Sequence, residues 1–478
     1  MQDPPQNPDQ ASLRIRPRVV MGLLFFPRGG SAHVARALAE TLPEHGWDVT
    51  LLSGSLSLPD GQGNAHTFYA GLDLRAVDFT AALVAPDPLR ADPPLSPSYE
   101  DRPGAPDRVF ARLDDATYEC QVAAWARALR AAGAAEADIL HLHHLTPLHA
   151  AARQVAPHVP IMGHLHGTEL LMLEAIAAGP PADWDHAAVW ERRLREWAHA
   201  CQRLLVPSAT AKARAQTLLR IDAERIVQLP NGFDPGRFHP PDPRPTQPID
   251  RQALWRRVLV EQPRGWRPGR PPGSVAYRRR MLRSFKQGTV LLYVGRFTAV
   301  KRLDVLIRAY VRARPSFASP APLVLVGGFP GEWEGEHPFD VIRRHRARDV
   351  FLAGWHDHDE LAELFAAADV VMLPSVREQF GLTLVEGMAC GLPAISVDAD
   401  HGPREIVADG ETGWLVPPDD ERALAEALVQ AVSHGEERQR RGAAACAAAH
   451  ARYGWPALGG KLAGIYGELL APRERARR

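Results

Sequence analysis

The segment 369–397 constrains the fold of this chain more than any other. Val370 to Leu373 is an apolar run of strand length, broken by Pro374 and Ser375. Gly381 opens the next stretch, in which Leu382, Val385 and Ala389 recur at helical spacing until Gly391-Leu-Pro393 stops it. Ala394 to Val397 reads as a second strand, so the segment predicts a strand–loop–helix–strand unit of βαβ length. Two glutamates eight residues apart fall within it. Glu378 lies in the loop at the carboxyl end of the first strand, and Glu386 in the first turns of the helix. The N–H groups of Phe380, Gly381 and Leu382 then face outward at a helix start, where an anion is stabilised. A phosphate on those amides, with carboxylates accepting hydrogen bonds from hydroxyls on either side, describes a ligand whose phosphates are flanked by sugars.

The same alternation recurs along the chain. Val19 to Phe26 reads as a strand, followed by Pro27-Arg-Gly-Gly-Ser31 and an amphipathic helix from Ala32 to about Leu42. Trp47 to Leu52, Ile139 to His143, Ile161 to Leu165 and Leu204 to Pro207 continue as strands. A second series follows at Val290–Val294, Leu323–Val326, Val350–Leu352, Val370–Leu373 and Ala394–Val397. Strands alternating with helices predict an α/β protein with a parallel sheet in each half. A length of 478 residues suffices for two domains with sizeable cores.

Composition removes several function classes. The formal net charge is zero, which argues against a nucleic-acid binder held by bulk positive charge. No apolar stretch approaches the roughly 20 residues needed to span a bilayer. The first residues have neither a basic region nor an apolar core, so they are not expected to act as a signal peptide, and 1–17 reads as a disordered tail. Cys120, Cys201, Cys390 and Cys446 are scattered without metal or redox spacing. They are expected to pack structurally, consistent with a cytoplasmic address.

The glutamate segment is similar to the Glu-x7-Glu signature of retaining glycosyltransferases of family 4, which have the GT-B fold. Leu229-Pro-Asn-Gly-Phe-Asp-Pro-Gly-Arg-Phe238 resembles that family's interdomain segment, and Val294-Gly-Arg-Phe-Thr-Ala-Val-Lys301 its diphosphate strand–loop. Leu325-Val-Gly-Gly328 and Leu352-Ala-Gly-Trp355 resemble its two nucleotide-side loops. The resemblance implies two facing Rossmann-like, doubly wound domains with the active site in the cleft. It sets an N-terminal acceptor-side domain at 18–235, an interdomain insertion at 236–288, a nucleotide-sugar domain at 289–452 and, at 453–478, a helix crossing back to the first domain. It implies a nucleoside-diphosphate sugar as donor, UDP before GDP, a hexose-type sugar, and a hydroxyl acceptor that is a small molecule, a glycan or lipid-linked. No cofactor and no metal are expected.

The resemblance also assigns roles. Arg296 and Lys301 would hold the diphosphate and stabilise the charge that develops as it leaves. Lys301 is one of only four lysines in the chain, so it is less readily dismissed as surface filler. Glu386 would accept hydrogen bonds from the ribose hydroxyls, and Glu378 would face the donor sugar. Gly328, Gly354 and Trp355 would line the base pocket, with Phe380, Gly381 and Leu382 at the phosphate. In the first half, Gly29-Gly30 resembles the loop that approaches the diphosphate from the opposite side. His166, in Gly163-His-Leu-His-Gly-Thr-Glu169, would position the donor sugar and the acceptor hydroxyl, whereas His164 is expected to be structural.

Other clusters carry less. His141, His143, His144 and His149 follow a strand-end pattern with no Cys or carboxylate set to complete a metal site. Asp398-Ala-Asp400 spells a manganese motif of another glycosyltransferase fold, here in a position where family 4 needs no metal. Residues 240–288 are rich in Pro, Gly and Arg, with ten arginines between Arg251 and Arg283. They read as a solvated surface insertion, or as a patch at 251–283 for an anionic acceptor or membrane surface. Competing readings of the whole chain are another GT-B enzyme, such as a nucleotide-sugar epimerase or a phosphorylase, and a non-catalytic nucleotide-sugar-binding protein.

Overall fold

A computed structural model of the chain describes residues 16–27, 29–58, 61, 63–100, 106–241, 250–399 and 402–477. Residues 1–15 of the expected tail, 242–249 of the insertion and Asp400 lie outside the described residues. The chain divides into two compact units. Unit 1 comprises Met1–Val206, Lys212–Leu229 and Leu458–Arg478; unit 2 comprises Pro207–Ala211 and Pro230–Ala457.

Among the described residues of unit 1, seven strands form one sheet: β1 (Arg18–Leu23), β2 (Asp48–Ser55), β3 (Leu74–Asp78), β4 (Ile139–His143), β5 (Ile161–His164), β6 (Arg203–Val206) and β7 (Ile226–Gln228). Their order is β3-β2-β1-β4-β5-β6-β7 and every pairing is parallel. The central strands β1 and β4 are buried on both faces; Val19, Val20, Met21, Ile139 and Leu140 are fully buried, and so are His141 and His143 on one face of β4.

Unit 2 repeats the plan with β8 (Leu291–Gly295), β9 (Leu323–Gly327), β10 (Val350–Gly354), β11 (Val370–Leu373), β12 (Ala394–Val397) and β13 (Gly413–Val416), all parallel in the order β10-β9-β8-β11-β12-β13. In each sheet the strand order reverses once, between β1 and β4 and between β8 and β11. At such a reversal the loops leaving the carboxyl ends of neighbouring strands diverge to opposite faces and leave a crevice for ligands. The fold is thus α/β with two doubly wound, all-parallel sheets.

Two features differ from the sequence-based expectations. Strands β3, β7 and β13 have no counterpart among them, and each is a sheet edge. The second concerns 250–288, which is not a solvated insertion. Asp250 caps the helix Arg251–Arg256 by accepting from Ala253 N at 2.9 Å. Trp255 and Trp266 are buried in the unit 2 core, and their indole N–H groups donate to Ala367 O (3.2 Å) and Gly328 O (2.9 Å). Arg264 forks onto Glu360 at 2.6 and 2.9 Å, and Arg251 reaches Asp369 at 2.5 Å. The apolar residues spaced among the arginines supply the core contacts.

The helix Trp455–Arg477 carries Leu462 and Tyr466 into unit 1. Both are fully buried, and Tyr466 sits 4.8 Å edge-on from Trp47. Cys120, Cys201, Cys390 and Cys446 are all free thiols. Among the described residues no helix is long and apolar enough to cross a membrane.

Candidate active site

In unit 2 the reversal between β8 and β11 gathers most of the expected donor-side residues. The loop leaving β8 carries Arg296 and then a single turn, Ala299–Lys301. The loop leaving β11 carries Glu378 and ends at the helix Leu382–Ala389. Val376 N donates to Val300 O at 3.0 Å and ties the two loops together. Across that tie the Lys301 ammonium pairs with the Glu378 carboxylate, both side chains being more than four-fifths buried.

Gly381 occupies φ +105 at the cap of the helix Leu382–Ala389, a conformation that L side chains rarely adopt. This turns the chain sharply so that the helix starts beside Glu378. Phe380 is buried against Tyr453 (5.7 Å, edge-on), and Gly402 N donates to Glu378 O at 3.1 Å, which fixes the loop from the far side. Arg296 is exposed, and its carbonyl accepts from Tyr293 Oη at 2.8 Å. Thr298 Oγ1 and Ser375 Oγ, one in each loop, are buried and have no hydrogen-bond partner. Buried polar atoms left unpaired at a strand-end crevice are what a ligand's oxygens or hydroxyls would satisfy.

Glu386 lies inside the first two turns of the helix and is 3% exposed. Its carboxylate accepts from His358 Nε2 at 2.7 Å. Burial opposes charge on His358, but Glu386 outweighs burial, so the imidazole titrates above its ordinary range. His358 was not singled out from the sequence. It follows the carboxyl end of β10 by four residues, and strand-end loops of such sheets are where ligand contacts collect, which is the signal that could have found it.

Gly328 and Gly354, at the ends of β9 and β10, have positive φ (68° and 79°). A Cβ on Gly328 would fall 2.3 Å from the Phe297 ring, and one on Gly354 2.1 Å from Arg264 O. Both glycines are therefore required by backbone packing as well as by any ligand. Trp355 is half-buried, with its ring edge-on to Phe329 at 5.6 Å.

In unit 1 the corresponding reversal places Gly29 and Gly30 after β1, where Gly29 is the extended cap residue of the helix Gly30–Thr41. A Cβ on Gly29 would meet nothing within 4 Å. His166 follows β5, half-buried, with its backbone N–H on Glu169 Oε1 at 3.1 Å. Its Nε2 lies 2.9 Å from His143 Nδ1. Burial, reinforced by neighbouring histidines, holds His166 well below the usual imidazole range, so it is neutral and carries one donor and one acceptor nitrogen. The Nδ1 and Nε2 of such a ring are set by its partner, and that partner is His143.

The other histidines sort themselves. His144 pairs with the buried Glu169 at 3.4 Å. His149 caps the helix Pro147–Val155, and burial pushes it down to about 4. His141 connects Tyr466 Oη (2.5 Å from Nδ1) to His164 Nδ1 (3.1 Å from Nε2). Burial takes His164 down to about 3. The ligand atoms of His141, His143 and His164 lie within 4.8 Å of one another. Asp398 pairs with Arg404 at 3.2 Å.

Known proteins share this plan. A family model for glycosyl transferases group 1 matches residues 278–447, and one for Glycosyltransferase Family 4 matches residues 28–237. A D-inositol 3-phosphate glycosyltransferase of Stackebrandtia nassauensis is 29% identical over 83% of this chain and 83% of its own length. Among solved structures, the sucrose-phosphate synthase of Thermosynechococcus elongatus superposes with a TM-score of 0.67 at 20% identity, over 96% of this chain and all of that one. Anabaena HepE in complex with UDP-glucose superposes with a TM-score of 0.64 at 17% identity, over 94% and 99% of the two chains. The chain is a glycosyltransferase of family 4 with the GT-B fold.

Proposed function

We propose that the chain transfers a hexose-type sugar from a nucleoside-diphosphate sugar to a hydroxyl acceptor, with retention of anomeric configuration and without a metal. UDP is the first expected nucleotide and GDP the next. The observation that carries this reading is the pairing of Lys301 with Glu378 across the β8–β11 reversal, beside a glycine-capped helix start. A cation, outward amides and a carboxylate are gathered where the donor's diphosphate and sugar would meet.

In this reading the diphosphate lies on the amides of Phe380, Gly381 and Leu382, with Arg296 and Lys301 as counter-charges. Binding draws Lys301 from Glu378 towards phosphate, and two fixed cations replace the ion that other glycosyltransferases use. The freed Glu378 faces the sugar. Glu386, oriented by His358, accepts from the ribose hydroxyls, and Gly328, Gly354 and Trp355 meet the base. On unit 1, Gly29-Gly30 leave backbone open to a phosphate, and neutral His166 is suited to hydrogen-bond a sugar or acceptor hydroxyl. The acceptor hydroxyl attacks the face from which the diphosphate departs, and the leaving phosphate takes its proton. HepE was solved with UDP-glucose, which supports a UDP donor. The inositol 3-phosphate relatives make a phosphorylated polyol the first acceptor to test.

Thermal unfolding of the full chain with UDP-glucose, GDP-mannose and ADP-glucose, each with a chelator present, tests the donor. A ligand at about a hundred times its dissociation constant stabilises the fold by roughly 2.7 kcal/mol. A shift with one nucleotide class that is lost in Glu386→Ala supports the assignment. The absence of any shift overturns it.

A further inference from the structure

Eight of the ten arginines of 251–283 fall into two sets. Arg251, Arg256, Arg257, Arg264 and Arg279 lie within 4 Å of a carboxylate. Among the described residues, Arg267, Arg280 and Arg283 have no ion-pair partner, and all three line one cavity of about 860 Å³. Arg346 and Arg348, from the loop before β10, line it as well. Five exposed guanidiniums thus face a space whose one lining carboxylate, Asp349, is already held by Arg314 at 2.7 Å.

The floor of the cavity is apolar: Val275, Phe351 and Leu352 are buried there. Met281 stands on its lip with 45% of its surface exposed, one of few large hydrophobic side chains so placed. Ser274 Oγ and Ser284 Oγ, on lining residues, are buried without a hydrogen-bond partner. The cavity adjoins Val350, Phe351 and Leu352, the amino-terminal part of β10, whereas the donor-side Gly354 ends that strand. Ligands of open parallel sheets bind outside the carboxyl ends, so this cavity lies away from the site described above.

We propose that the cavity binds a phosphate group carried on an apolar body. Guanidinium forks match phosphate oxygens two at a time. Crowded like charges are relieved when an anion sits among them, and the unpaired hydroxyls gain an acceptor. The volume exceeds what a bare phosphate fills and suits a drug-sized ligand, with the apolar part on the floor. A soluble organophosphate and the head of an acidic phospholipid share this chemistry. The inference is independent of the donor assignment.

Phenyl phosphate is titrated calorimetrically into the full chain carrying Arg296→Ala and Lys301→Ala, which removes phosphate binding at the donor loops. In parallel, the unsubstituted chain is sedimented with vesicles of phosphatidylglycerol and phosphatidylcholine, and with phosphatidylcholine alone. Arg280→Ser with Arg283→Ser is compared in both arms with Arg192→Ser and Arg422→Ser, which remove equal charge from exposed helix faces. The expected result is binding that the cavity pair weakens about tenfold or more and the control pair leaves nearly unchanged. Phenyl phosphate binding without vesicle binding assigns a soluble ligand. Cavity-dependent vesicle binding assigns the lipid. No binding in either arm, or equal loss in both pairs of variants, overturns the proposal.

Discussion

Lys301 and Glu378 neutralise each other while more than four-fifths buried, which sets what each does when a ligand enters. An ammonium already desolvated and aimed across the crevice needs little rearrangement to reach a diphosphate, so its charge acts at close to full strength as the bond breaks. Lys301→Ala is expected to lower turnover by about 10²–10³-fold, while Glu386→Ala chiefly weakens nucleotide binding, by about tenfold. Steady-state rates and equilibrium titration of each variant separate the two; unaltered turnover in Lys301→Ala removes its assigned role. The His358–Glu386 pair predicts a pH dependence. The folded imidazole titrates above its unfolded value, so its contribution to stability is complete below about pH 6.5 and fades as pH rises through the raised value. The buried neutral histidines of unit 1 act with the opposite sign, so the contribution of His358 is read as a difference: by urea denaturation His358→Asn should lose more stability relative to the unsubstituted chain at pH 5.5 than at pH 8.5. Motif spacing placed both glutamates and Lys301 on neighbouring loops. His358 and His143 escaped because each acts on a partner 28 or 23 residues away, a proximity that only the assembled sheet creates: β4 lies beside β5, whereas β9 and β8 stand between β10 and β11.

Elements read well from the sequence where burial is two-sided and poorly where it is not. Strands β11 and β12 fall where their largely apolar runs begin and end, because both faces are buried. Strands β3 and β7 are edge strands with polar or half-buried residues, so their sequences carry no strand-length apolar run. The segment 250–288 misled for the opposite reason. Its composition is that of a loop, but a few large side chains at wide spacing hold it down: Trp255, Trp266 and Phe285 are buried among residues of unit 2. Trp266→Ala should cost about 3–5 kcal/mol in chemical denaturation, whereas Trp333→Ala, at a site 38% exposed, should stay within about 1 kcal/mol. Equal, small effects would mean that the segment does not support the core it covers. Gly328 ties this packing to chemistry, since Trp266 donates to its carbonyl and Phe297 occupies the space that a side chain would need.

At the scale of the whole molecule, two sheets of the same design each reverse their strand order once, and the chemistry-bearing residues follow those reversals. Alternating strands and helices made that architecture legible. The division of the chain was less so, because unit 1 is discontinuous. Tyr466, on the helix Trp455–Arg477, hydrogen-bonds His141 on a central strand of unit 1. Tyr466→Phe leaves His141 Nδ1 buried without its partner and should cost about 1–3 kcal/mol, measured by thermal or urea unfolding. A change below about 0.5 kcal/mol would show that the contact carries little. The discontinuity also bears on biosynthesis. The surfaces around Trp47 and His141 are made early, yet the side chain that covers them emerges only after all of unit 2. At about 5–20 residues per second that interval is roughly 10–50 s. During translation unit 1 waits with an apolar groove uncovered while unit 2 has all it needs to fold. A ribosome that stops after Ala457 but before Tyr466 releases a protein with an intact second half and an unsealed first, a form open to chaperone capture and proteolysis.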